Sequence, residues 1–153
     1  MKKLAQIGSY SRKIYRLYTN DLLNLLQVKG YIDLRPSFLE ILMYICENTG
    51  ASIKEIGLAC GLKKQTMTSH LNELEARGYI YRKNSLKDRR EFEVFLTDFG
   101  EQFKFTLIEV NHDLEETYLQ KISEIDMNRL ESLLNSFHKN MKSEKESDQL
   151  NLI

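Results

Sequence analysis

Between Leu4 and Val28 the apolar side chains return every three or four residues, as Leu4, Ile7, Ile14, Leu17, Leu22, Leu25 and Leu26, with Tyr10, Tyr15 and Tyr18 widening the stripe. That period predicts a long amphipathic helix, closed at Gly30. A stripe so wide on a terminal helix needs a partner. Pro36 then suits the first turn of a second helix. The spacing of Phe38, Ile41, Leu42, Ile45 and Cys46 makes that helix a buried one, ending near residues 48–50. A third, shorter pattern sets Ile53, Ile56 and the Ala59/Cys60 pair at helical spacing. Ser52 stands at its N-cap with Glu55 three residues on, and Gly61 offers the left-handed C-terminal turn. A fourth pattern starts almost at once, with Met67, Leu71 and Leu74 on one face, and stops at Gly78.

Past Gly78 the period falls to two. Residues 79–83 and 91–96 alternate, Phe92, Val94 and Leu96 on one side against Glu91, Glu93 and Phe95 on the other. This reads as a hairpin whose tip spans 84–90. Thr97 and Asp98 can cap a new helix through Phe99, Phe103, Leu107, Ile108, Val110 and Leu114 towards Tyr118. A break around 123–126 precedes a last helix with Met127, Leu130, Leu133, Leu134, Phe137 and Met141 on one face. Residues 143–153 carry alternating charge with weak periodicity and are expected to form a loose tail.

The predicted fold is therefore mainly α with a small β-hairpin wing, an α+β arrangement. Residues 34–97 form a winged helix-turn-helix, and the terminal helices, 1–30 and 100–142, form a dimerisation lobe. All of 1–142 is expected to be a single domain. The terminal helices hold more apolar surface than one winged-helix core can cover, so a second copy of the chain is the expected partner.

Charge sharpens this picture. The net charge over 153 residues is zero. Residues 63–90, however, hold eight Lys/Arg against three Asp/Glu, a balance of +5, and residues 91–153 hold six against fourteen, a balance of −8. Phosphate contacts draw on local rather than total charge. On the fourth helix the face opposite Met67, Leu71 and Leu74 carries Gln65, Ser69, Asn72 and Ala76, flanked by Thr68 and preceded by Lys63, Lys64 and Thr66. Small or amide-bearing side chains of this kind approach base edges without trapping a bare charge. The hairpin adds Arg82 and Lys83 at its base and Lys87, Arg89 and Arg90 at its tip, opposed there only by Asp88. These residues predict a duplex-DNA site: Lys63, Lys64, Arg82, Lys87, Arg89 and Arg90 on phosphates, and Gln65, Thr66, Thr68, Ser69 and Asn72 reading bases.

The stretch GYIYRKNSLKDRREFEVFLTDFG resembles the wing of the multiple antibiotic resistance regulator (MarR) family of bacterial transcription factors. Its glycine-apolar-apolar-x-arginine strand corresponds to residues 78–82, its Asp-x-Arg tip to 88–90, and its Leu-Thr-x-x-Gly exit to 96–100. LRPSFLEILMYI is similar to the family's helix before the helix-turn-helix, and in layout the likeness covers nearly the whole chain. It implies a homodimeric regulator, a repressor, that binds a pseudo-palindromic operator and is released by a small effector. It further implies that Arg90 enters the minor groove while Asp88 holds the tip by pairing with Arg82. The chain departs from the family at Ser69, where many members have a basic residue, and at His70, where an apolar one is usual. The resemblance also implies an effector pocket, for which Tyr10, Arg12, Tyr15, Arg16, Tyr18, Arg35 and Phe38 supply aromatic walls and cationic ends suited to an aromatic or phenolic acid. Interface packing of the tyrosines, with solvated arginines, is the other reading of the same residues.

Other functions have less to stand on. No phosphate-binding glycine loop, nucleophile elbow or metal-ligand cluster occurs, so neither an enzyme nor a cofactor or metal site is expected. His112 and Glu116 share a helix face at a spacing of four, but two ligands do not make a site. Cys46 and Cys60 lie on apolar sides of short helices, where they serve as small hydrophobes or, in the alternative, as a redox sensor. A second alternative is an adaptor that docks a protein on the same surface. No run of about 18 apolar residues is present and the N-terminus lacks an apolar signal segment, so the expectation is a cytoplasmic protein without membrane contact.

Overall fold

In a computed structural model the backbone is described for residues 2–151 and the side chains through residue 142. The element order is α1 (Lys3–Val28), α2 (Pro36–Glu47), α3 (Ile53–Cys60), α4 (Lys64–Ala76), β1 (Ile80–Asn84), β2 (Phe92–Leu96), α5 (Asp98–Leu119) and α6 (Glu124–Asn151). The chain divides into two compact units, Met1–His112 and Asp113–Ile153, with the boundary inside α5.

The first unit is built around α2. Phe38, Leu39, Ile41, Leu42 and Ile45 are all but inaccessible to solvent, because α1, α3 and β2 pack against this helix from different sides. Each such side chain contributes roughly 1.5–3 kcal/mol on burial. Leu22 and Leu26 of α1, Ile56 of α3, Met67, Leu71 and Leu74 of α4, Val94 of β2 and Phe103 of α5 complete the core. Only three residues of α4 turn inward, which leaves the remainder of that helix polar and free to face outward.

Local chemistry sets the corners. The Ser52 hydroxyl accepts from the Glu55 amide at 3.1 Å, as the capping pattern predicts. Gly61 takes φ 64°, a left-handed conformation that favours glycine, and the Leu62 amide donates back to the Gly57 carbonyl at 2.9 Å to close the turn into α4. At the far end of the wing, Thr97 Oγ1 accepts from the Gly100 amide at 3.0 Å and donates to the Gly78 carbonyl. A Cβ on Gly100 would sit 2.1 Å from the Tyr79 carbonyl oxygen. The Leu-Thr-x-x-Gly sequence therefore welds the start of α5 onto the start of the hairpin.

β1 and β2 pair antiparallel from Ile80 opposite Leu96 to Asn84 opposite Phe92. The hairpin is not free-standing. Ser52 forms an isolated antiparallel bridge with Glu93, the Val94 amide donates to the Ala51 carbonyl, and the Gly50 amide donates to the Val94 carbonyl, each at 3.0 Å. The segment entering α3 thus adds itself to the edge of the wing.

Three details differ from the sequence-based expectation. Phe92, expected on the inner face with Val94 and Leu96, is 43% exposed, because it pairs at the last rung of the sheet, beyond the reach of the core. The break before the last helix is shorter than 123–126, since Ser123 Oγ accepts from the Asp126 amide at 3.2 Å and α6 starts at Glu124. The α6 backbone continues to Asn151 rather than stopping near Lys142. The side chains of the loose tail expected at 143–153, and residues 152–153 altogether, lie outside the described residues.

Both units leave apolar side chains in solvent. On α1 these are Leu4, Ile7, Tyr10, Ile14, Tyr15, Leu17, Leu25 and Val28. On α6 they are Ile125, Leu130, Leu133, Leu134, Phe137 and Met141.

Candidate nucleic-acid interface

Helix α4 presents Gln65, Ser69, Asn72 and Ala76 on one exposed face, with Thr66 and Thr68 exposed beside them and Lys63 and Lys64 at the N-terminal end. Thr68 Oγ1 donates to the Lys64 carbonyl at 2.9 Å, so its hydroxyl hydrogen is engaged by its own helix. The helix is 13 residues long, about 20 Å, and has the width that a major groove admits. His70 is half-buried, its ring edge-on to Phe38 at 5.0 Å. That geometry makes His70 a packing residue.

The wing tip is organised by two side chains. Ser85, buried although polar, accepts at Oγ from the amides of Lys87 and Asp88 at 3.2 and 3.4 Å. Asp88 Oδ1 accepts from the Arg90 amide at 3.0 Å, and the Glu91 amide closes the turn on the Asp88 carbonyl at 3.0 Å. Lys87, Arg89 and Arg90 project from this frame, all exposed. Among the described residues these three, together with Lys63 and Lys64, have no carboxylate within ion-pairing distance. They are available to a polyanion.

Arg82 behaves differently. The expected pairing of Asp88 with Arg82 does not occur: Asp88 is spent on the backbone of its own turn, and Arg82 is held by α4. Its Nη2 donates to Glu75 Oε2 at 2.6 Å and its Nε to the same oxygen at 3.2 Å. Nη2 also donates to Asn72 Oδ1 at 2.8 Å. Arg82 is thus a brace between strand and helix rather than a free phosphate-binding cation. Glu75 was not singled out from the sequence. Nothing in its sequence context sets it apart from Glu73 on the same helix.

Between α3, the start of α4 and the wing lies an open groove of about 640 Å³. Leu58, Leu62 and Phe92 form its apolar wall, and Lys64, Arg82 and Arg90 line its polar side. Sequence reasoning missed this groove because its apolar wall is assembled from three separate places, Leu58 on α3, Leu62 in the turn after it and Phe92 on β2.

The residues expected to line an effector pocket are not gathered in one place. Tyr10, Arg12, Tyr15 and Arg16 are exposed; at about 100° per residue Arg12, Tyr15 and Arg16 share one face of α1 and Tyr10 lies away from them. Tyr18 donates to Asn111 Oδ1 at 2.7 Å. Phe38 is fully buried, with the Arg35 guanidinium 4.3 Å from its ring centre and Arg77 5.0 Å away.

Cys46 and Cys60 are both free thiols. Burial pushes each up to about 11, helped at Cys60 by the nearby Glu40 carboxylate. Neutral thiols of this kind are poor nucleophiles, which favours the packing role over redox sensing. Among the described residues no group of three or more His, Cys, Asp or Glu side chains is placed to hold a metal ion, and no helix is long and apolar enough to cross a membrane.

Comparison with known proteins follows the same lines. Residues 39–91, from within α2 to the end of the wing tip, match the MarR family model. The chain is 39% identical over 69 residues to the HTH-type transcriptional regulator TtmR of Methylorubrum extorquens, a stretch that is 45% of this chain and 35% of TtmR. It is 32% identical over 102 residues to the HTH-type transcriptional regulator SarZ of Staphylococcus aureus, covering 66% of this chain and 64% of SarZ. These matches thus span less than two thirds of either relative. In fold the chain is similar to a MarR transcriptional regulator from Methanosarcina mazei, with TM-score 0.75 and 20% identity over 90% of this chain and 98% of that one. It is also similar to FabT of Streptococcus pneumoniae, solved in complex with DNA, with TM-score 0.71 and 19% identity over 92% and 99% of the two chains.

Proposed function

We propose, from the premise that residues 39–91 form a MarR-family winged helix, that this chain is a transcriptional regulator that binds duplex DNA sequence-specifically as a homodimer. The observation that carries the reading is the pairing of an exposed polar helix face, Gln65, Ser69 and Asn72, with a tip whose Lys87, Arg89 and Arg90 have no acidic partner among the described residues. FabT, similar in fold, is a DNA binder in its own crystal structure.

On this reading α4 enters a major groove, and the wing follows the neighbouring minor groove with Arg90 leading. A narrow, A/T-rich minor groove concentrates negative potential and so attracts such an arginine. The groove between helix and wing accommodates one sugar-phosphate strand, with Lys64 and Arg90 in its lining. The apolar residues left exposed on α1 and on α6 supply the surface on which two copies associate. A twofold dimer then reads a pseudo-palindrome with half-sites about 34–36 Å apart, or a multiple of that. Displacing the two heads relative to each other releases the DNA, which is how a repressor of this design is switched. The DNA-binding proposal does not depend on any particular effector site.

The test is selection of bound sites from random duplexes, followed by binding to the enriched site across a salt series. Recovery of an inverted repeat, two chains per duplex, and affinity falling steeply with salt are expected. Failure to enrich any sequence, with a protein partner captured through the same face, would replace the reading with that of an adaptor.

A further inference from the structure

We infer that Arg82 biases Asn72 towards reading as a hydrogen-bond donor, so that α4 favours guanine over adenine at the base Asn72 faces. The inference rests on the DNA-binding reading above and deepens it.

Asn72 lies on the exposed face of α4 with Gln65 and Ser69. An asparagine amide in a major groove ordinarily selects adenine with both ends, Oδ1 accepting from the N6 amino group and Nδ2 donating to N7. Here Oδ1 already accepts from Arg82 Nη2 at 2.8 Å. A guanidinium has donors only, so the atom facing it is the amide oxygen and the amide cannot be turned over without losing the bond. The guanidinium is itself fixed by two bonds to Glu75 Oε2, at 2.6 and 3.2 Å, and the planar fork keeps its direction. Carboxylate, guanidinium and amide form a chain that leaves α4 at Glu75, crosses to β1, and returns to α4 at Asn72.

The consequence for base readout follows from the donor and acceptor pattern. The oxygen retains a second lone pair, but an adenine amino group using it would come to lie beside the N–H donors of Arg82, donor against donor. Guanine presents N7 and O6, two acceptors side by side, to the same NH2 group and the same cation. Glu75 is then a positioning residue for specificity, acting through Arg82 on an atom of Asn72.

Site selection with the full-length chain and three variants tests this. Asn72→Ala locates the operator position that Asn72 reads, as the one position where preference is lost. At that position the wild-type chain is expected to favour guanine. Arg82→Met, which keeps the aliphatic length and frees Oδ1, is expected to move the preference towards adenine by about tenfold, the scale of one bidentate contact. Glu75→Gln combined with Arg82→Met should give the same change without an orphaned carboxylate, and serves if Arg82→Met alone does not fold. A merely structural brace would weaken all sites alike and move no base preference. Adenine preferred by the wild type, an unmoved preference in the folded variants, or no position sensitive to Asn72→Ala would each overturn the inference while leaving DNA binding intact. No enriched site for the wild-type chain would overturn the DNA-binding reading, and this inference with it.

Discussion

Arg82 on the first strand of the wing donates twice to a single carboxylate oxygen of Glu75 on α4, at 2.6 and 3.2 Å. The two side chains are 23% and 38% exposed, so solvent screens the pair in part and its worth lies nearer that of a surface bridge than a buried one. Glu75→Ala should lower stability by about 1 kcal/mol, read as a shift in the urea midpoint at unchanged slope. A larger loss would mean that the brace supports the core as well as the wing.

Gly100 is the position where size is least negotiable. Its missing Cβ would meet the Tyr79 carbonyl oxygen at 2.1 Å, and backbone cannot swing aside as a side chain can. Gly100→Ala should cost about 2–3 kcal/mol. Thermal unfolding of this variant close to that of wild type would show that α5 can shift away from the hairpin.

Contacts to phosphate and contacts to bases should separate in their salt and sequence signatures. Arg90→Ala is expected to weaken binding to every duplex and to reduce the salt slope by about 1, with base preference kept. Gln65→Ala is expected to cost about 1–3 kcal/mol at particular base pairs and to leave the slope alone. Titrations by fluorescence anisotropy at several salt concentrations distinguish the two, and identical signatures would mean that wing and helix do not meet the same duplex.

The thiols give a pH-dependent prediction. Cys46 and Cys60 are raised from 9.0 to about 11, chiefly by burial. A folded-state value above the unfolded one favours the neutral form, so the contribution to stability is complete below pH 9 and is lost as pH rises through about 11. Alkylation at pH 7–8 should therefore be slow in the folded chain and fast in denaturant. Rapid labelling of folded protein, accompanied by loss of DNA binding, would revive a redox role.

Association of two copies is tested on the exposed apolar face of α1. Leu17→Glu places a charge among the apolar side chains left exposed on that helix and should convert dimer to monomer at micromolar concentration in sedimentation velocity. DNA affinity should fall with it, since one head engages only one half-site. A dimer that persists would move the association surface elsewhere.

The helices and the hairpin were legible because each is announced by a period and a stop: Met67, Leu71 and Leu74 before Gly78, or Ser52 and Glu55 ahead of Ile56. The exposed polar face of α4 followed from the same spacing. Pairings between elements were not legible. Arg82 had two acidic neighbours to choose from, and only the placement of β1 against α4 decides for Glu75 over Asp88. Ser85 was passed over because a serine in a polar loop looks like any other, whereas folding buries it under two backbone amides. Phe92 followed the alternation but outran the core, since periodicity does not say where the packing ends.

The hydrogen bonds from Val94 to Ala51 and from Gly50 to Val94 have a mechanical meaning. They fasten the finger that would probe one groove to the stem of the helix pair that would probe the other, leaving no joint between the two probes. A signal that loosens the protein from its target is therefore expected to move the wing and the start of α3 together.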